Sequence, residues 1–94
     1  MDKNFPVDRF FEAILTLKTK DECKEFFADA CTPKELQAIA QRFTVAEMLY
    51  NKRVYSDIIE QTGASTATIS RVSRSINSGY KKAFERLKQS NERV

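Results

Sequence analysis

The sequence predicts an all-α fold: a small domain of about six helices that carries a helix-turn-helix. Three observations predict it. The 94 residues include only two glycines and two prolines, so long helices with short links are expected. Apolar residues recur at spacings of three and four along most of the chain, the period of an amphipathic helix. Helix-start signals stand between these stretches at Thr19, Thr32-Pro33 and Ser65.

The first helix is expected from about Asp8 to Leu17, where Phe10, Phe11, Ile14, Leu15 and Leu17 make an apolar stripe. The second starts at Thr19. Thr19 and Glu22 fit a capping box, in which each side chain satisfies an otherwise orphan amide. Cys23, Phe26, Phe27 and Ala30 form its apolar face. The third has the clearest start in the chain: Thr32 caps, Pro33 takes the first helical position and Glu35 completes the box. It continues to about Asn51 with Leu36, Ile39, Ala40, Phe43, Ala46 and Leu49 in phase. At 1.5 Å per residue it spans roughly 28 Å. That is long for so small a domain, so part of its stripe is expected to face a partner chain. Residues 52–54 form a link.

Residues 55–76 read as two short helices around Gly63. The first needs apolar anchors, Ile58 and Ile59. The turn needs a residue that tolerates a left-handed backbone, which Gly63 does. The second needs a cap, Ser65, and an inward stripe, Ile69, Val72 and Ile76. The opposite face then carries Thr66, Ala67, Ser70, Arg71 and Arg74. Short side chains let the start of this helix approach a major groove closely. Hydroxyls bond base edges or phosphates, the Ala67 methyl can touch thymine, and arginine reads guanine or anchors phosphate. A last helix from about Gly79 puts Tyr80, Ala83, Phe84 and Leu87 on one side and Lys81, Lys82, Arg86 and Lys88 on the other.

Charge follows the same division. The chain carries a net +3; residues 1–64 have nine Lys and Arg against eleven Asp and Glu, a balance of −2, and residues 65–94 have seven against two, a balance of +5. A basic final third suggests an anionic partner, most simply double-stranded DNA.

Other chemistry is poorly supplied. Histidine, the commonest general base and metal ligand, does not occur. The two cysteines, Cys23 and Cys31, make neither a secreted disulfide framework nor, alone, a four-ligand zinc site. No glycine loop cradles a phosphate. The carboxylates Asp21, Glu22, Glu25 and Asp29 read as a solvated helix face. No catalytic residue, metal site or required cofactor is expected, and the chain is not expected to be an enzyme. With no signal peptide and no apolar run near 20 residues, no membrane partner and a cytoplasmic location are expected.

From Thr32 to Asn77 the chain resembles the Trp repressor family, particularly its smaller YerC/YecD-type Trp-repressor-like branch. The residues that carry the likeness are CTPKELQAIAQRF at the start of the long helix and TGASTATISRVSRS in the turn and second motif helix. The resemblance implies an intertwined homodimer that regulates transcription, most simply as a repressor on a roughly palindromic operator. It implies one domain over 1–94, with dimerisation helices in 1–51, the helix-turn-helix in 55–77 and the C-terminal helix in 79–94. It places Thr66, Ala67 and Ser70 at base edges, often through water. Together with the charge pattern, the expected DNA-binding set is Ser65, Thr66, Ala67, Ser70, Arg74, Arg53, Lys81 and Lys82.

In the family, tryptophan binds as corepressor between two arginines, matched here by Arg42 and Arg71, with the hydroxyls of Thr32 and Ser75 also kept. These four residues are the candidate effector pocket. The family's glycine against the ligand is Val72 here, however, and its branched side chain argues against tryptophan. A base-contacting arginine of the family appears as Ser56, with Arg53 nearby as a substitute, and a basic residue is matched by Ile59. The operator is therefore expected to differ from the tryptophan operator. Arg71 divides the two lines of reasoning: helical spacing puts it near the DNA face, the resemblance on the flank. An alternative reading of the whole chain is a helical interaction module that docks on another protein, such as the transcription machinery.

Overall fold

The computed structural model describes residues 5–92. Among them are six helices and no strand: α1 (Asp8–Ile14), α2 (Lys20–Ala30), α3 (Pro33–Tyr50), α4 (Tyr55–Thr62), α5 (Thr66–Ser75) and α6 (Ser78–Glu92). The all-α expectation holds. The chain divides after Leu36 into two compact units.

In the first unit, α1 is shorter than its apolar pattern predicts. The Thr16 and Leu17 amides reach back only three residues, to the carbonyls of Ala13 and Ile14. The Thr16 hydroxyl also donates to the Ala13 carbonyl at 2.6 Å, a local bond that competes with helix continuation. The cap of α2 forms with one change of partner. The Glu22 amide donates to the Thr19 hydroxyl at 3.1 Å, but the Glu22 carboxylate accepts from the Lys18 amide at 2.9 Å, not from Thr19. The box that opens α3 is complete: Glu35 N–H donates to Thr32 Oγ1 at 3.1 Å and Thr32 N–H donates to Glu35 Oε1 at 2.8 Å. Hydrogen bonding to its carboxylate by the Thr32 amide first, and by the Thr32 hydroxyl second, holds the Glu35 carboxyl below its ordinary pKa.

Phe10, Phe26 and Phe27 gather in this unit, with ring centroids 5.6 Å apart for Phe10–Phe26 and 5.3 Å for Phe26–Phe27. Yet no residue of α1 or α2 is buried. Phe5 and Leu15 are each 85% exposed, and Val7, Phe10 and Phe11 are exposed beside them. These side chains form an apolar surface that their own chain leaves uncovered.

The second unit holds the core. Val45, Ala46 and Met48 from α3 meet Ile58 from α4, Ala64 from the turn, Ile69 and Val72 from α5 and Phe84 from α6. Val45, Ile58 and Ile69 are fully enclosed, and burial of each such side chain contributes about 1.5–3 kcal/mol. Phe84 binds α6 to α3 through rings 5.2 Å from Phe43 and 5.1 Å from Tyr50, and stacks on Tyr80 at 5.6 Å. The buried face of α3 departs from the predicted stripe. Val45 and Met48 are interior, whereas Ile39 stays 45% exposed and Ala40 is exposed. The helix thus carries one apolar face for its own core and leaves a second one open.

The end of α3 explains the link that follows. Arg53 N–H donates to Met48 O and Lys52 N–H to Leu49 O, each at 2.9 Å. This is a Schellman closure. It puts Lys52 at φ 61°, a left-handed backbone that a non-glycine residue rarely adopts.

Candidate nucleic-acid interface

The helix-turn-helix is assembled from local bonds. At its entry Arg53 pairs with Asp57, Nη2 to Oδ2 at 3.2 Å. Ile58 fixes α4 on the core, while Ile59 stays exposed. At the exit of α4, Gly63 takes φ 72° and its amide donates to the Ile59 carbonyl at 2.9 Å. A Cβ on Gly63 would meet nothing within 4 Å. The glycine is therefore required by its backbone angle and not by space. Thr62 closes the turn: its hydroxyl donates to the Ile58 carbonyl at 2.7 Å and accepts from the Ala64 amide at 3.1 Å. Ala64 is buried beneath.

α5 begins from an extended Ser65 whose hydroxyl accepts from the Thr68 amide. Ile69 and Val72 are buried and Ile76 is half-buried, so the predicted inward stripe is the observed one. Thr66, Ala67, Arg71 and Arg74 are exposed, and Ser70 is half-buried. The first turn of α5 carries no acidic residue, so its N-terminal end keeps a positive potential suited to phosphate. Arg74 sits in the last turn. Lys81 and Lys82 are exposed on α6. None of these three cations joins an ion pair among the described residues, where the two pairs are Arg9–Glu12 and Arg53–Asp57.

The predicted site residues thus fall into different situations. Thr66, Ala67, Arg74, Lys81 and Lys82 are open to a ligand. Ser65 is exposed but engaged as a cap, and Arg53 is exposed but engaged by Asp57. Two of the four effector-pocket candidates use their hydroxyls locally. Thr32 caps α3, the Ser75 hydroxyl donates to the Val72 carbonyl at 3.0 Å, and Arg42 and Arg71 are exposed. Val72 is 4% exposed, its side chain embedded in the core cluster.

One residue of this region escapes sequence reasoning. Gln41, on α3, donates from Nε2 to the Thr62 carbonyl at 3.0 Å. A glutamine on a long helix reads as a solvated position, and no periodicity signals that it reaches a residue 21 positions away.

No helix is long and apolar enough to cross a membrane, and no group of three or more His, Cys, Asp or Glu is placed to hold a metal ion, both among the described residues.

Comparison with known proteins agrees with this geometry. The family model described as Trp repressor protein matches residues 6–91. The uncharacterized protein YerC of Bacillus subtilis strain 168 is 49% identical over 86 residues, covering 88% of this chain and 83% of YerC. The crystal structure of a TrpR-like protein from Eubacterium eligens ATCC 27750 superposes with a TM-score of 0.83 at 56% identity, covering 86% of this chain and 87% of that one. A candidate Trp repressor from Staphylococcus aureus superposes with the same TM-score at 45% identity, covering 87% and 85%. The chain belongs to the Trp repressor family, whose members are DNA-binding regulators of transcription.

Proposed function

We propose that two copies of this chain form a dimer that binds a roughly palindromic operator and represses transcription from it. The observation that carries this reading is α5. Ile69 and Val72 anchor it to the core, Ser65 fixes its first turn, and the side away from that core keeps Thr66, Ala67 and Arg74 exposed. Such a helix is placed to enter a major groove by its N-terminal end. Lys81 and Lys82 on α6 add sequence-independent phosphate affinity. Dimerisation is supported by the uncovered apolar side chains of α1 and its approach, Phe5, Val7, Phe10, Phe11 and Leu15, and by the open Ile39 face of α3.

We also propose that tryptophan does not gate this protein. The residues do not fit that corepressor: the Val72 side chain fills core space, and the Thr32 and Ser75 hydroxyls are bonded locally.

The test is a pair of surface variants, Thr66→Asp and Arg74→Glu. Both should keep the fold and abolish binding to a selected duplex. Retained DNA binding in both would refute α5 as the reading helix. A protein that bound no DNA but captured a protein partner equally well in wild-type and variant form would instead be an interaction module.

A further inference from the structure

We propose that Gln41 is a positioning residue for DNA reading: its amide sets where the turn, and hence α5, stands on the long helix. This rests on the DNA-binding reading above. The Gln41–Thr62 bond, at 3.0 Å and partly buried, is the single side-chain hydrogen bond joining α3 to the helix-turn-helix among the described residues. The buried packing of that motif on α3 is apolar, with Val45, Ala46 and Met48 in one cluster with Ile58, Ala64, Ile69 and Val72. The burial that holds the helices together has no preferred direction of its own. A hydrogen bond is directional and fixes register.

Its acceptor is well chosen for that purpose. The carbonyl of Thr62 is one of the last of α4, where no helical amide remains to serve it. The neighbouring groups are served within the turn: Ile58 O by the Thr62 hydroxyl, Ile59 O by the Gly63 amide, and the Ala64 amide by the Thr62 hydroxyl. The whole turn is therefore a closed set of bonds with one external fastening, and that fastening is Gln41. Thr62 is three residues from the Ser65 cap, so a shift of the turn is carried directly into the first turn of α5, where Thr66 and Ala67 stand. Base readout requires side chains to meet base edges within hydrogen-bond tolerance, whereas phosphate contacts made by long lysines accommodate a shift. Loss of the fastening should therefore cost specific binding more than non-specific binding.

The experiment uses the full chain. A duplex is first selected from a random pool with the wild-type protein. Dissociation constants for that duplex and for a random duplex of equal length are then measured for wild type, Q41M, Q41E and Q41K, with thermal unfolding of each. Q41M and Q41E have no donor. They should lose about tenfold or more on the selected duplex, the factor carried by one misaligned base contact, and change little on the random one. Q41K restores a donor, and the open cleft beside Gln41, lined by Gln37, Thr44 and Gln61, leaves room for the longer side chain; it should recover most of the lost specificity. Equal losses on both duplexes, no loss, or no recovery with Q41K would overturn the inference while the DNA-binding reading stands. Failure of the wild type to enrich any duplex overturns that reading first, and the inference with it. Should Q41M not fold, Q41E, whose chain has the same length and stays polar, decides.

Discussion

The Ser65 hydroxyl and Thr68 form a two-way clasp: Ser65 Oγ accepts from the Thr68 amide and donates to Thr68 Oγ1, each at 3.1 Å. The same hydroxyl stands at the end of α5 that would meet DNA, so a cap and a contact role compete for it. Ser65→Ala is expected to destabilise the fold by about 1 kcal/mol. Ser65→Asp keeps the cap but adds an anion where phosphate would lie. Its unfolding midpoint in urea should match wild type while its DNA affinity falls. Equal affinity for Ser65→Asp would place Ser65 away from the DNA.

Two left-handed residues give opposite stability predictions. Gly63 at φ 72° meets no steric obstacle beyond its own backbone, so Gly63→Ala should cost about 1–2 kcal/mol, the penalty of that conformation, and Gly63→Asn less. Lys52 at φ 61° already bears the penalty. Lys52→Gly should therefore stabilise the protein by about 1 kcal/mol. Equilibrium denaturation of the three variants measures both signs.

The apolar surface of the first unit predicts assembly. Leu15, 85% exposed within one chain, should be covered in the dimer, together with Phe5, Phe10 and Phe11. Leu15→Lys or Phe11→Glu is expected to shift the protein toward monomer, or to unfold it, in sedimentation equilibrium. A monomeric wild type at micromolar concentration would contradict the dimer.

Glu35 predicts a pH dependence. Its pKa in the folded state lies below the ordinary value because the Thr32 amide and hydroxyl bond its carboxylate. The unfolded chain therefore binds the proton more tightly. The stabilisation is fully present above the ordinary glutamate range and is lost as pH falls through the depressed folded value. Glu35→Gln keeps the capping geometry but cannot titrate. The difference in melting temperature between wild type and Glu35→Gln should shrink between neutral pH and about pH 3. An unchanged difference would remove the bond from the account.

Much of this molecule is legible in its sequence because short-range rules decide it. The Thr32–Glu35 box, the Gly63 turn, the Ser65 cap and the Ile69–Val72–Ile76 stripe depend on residues a few positions apart. Less legible are features decided at a distance or by competition. The α1 pattern runs on through Leu17, but the Thr16 hydroxyl takes the Ala13 carbonyl and the helix ends at Ile14. Apolar spacing on α3 marks Ile39 and Ala46 alike, yet only Ala46 is enclosed by its own chain, since one helix can serve two cores. Gln41 carries no local signal, because the carbonyl it serves lies on another helix. Arg53 stands near the position of a family arginine, but that likeness carries no sign of its pairing with Asp57, one helical turn on.

The central claim is that α5 reads base sequence. The most direct measurement is selection of bound duplexes from a random pool in moderate salt, followed by sequencing. The expected result is one enriched motif with dyad symmetry and half-sites about 10 base pairs apart. A pool that stays random after repeated rounds, while the protein remains folded, would contradict it.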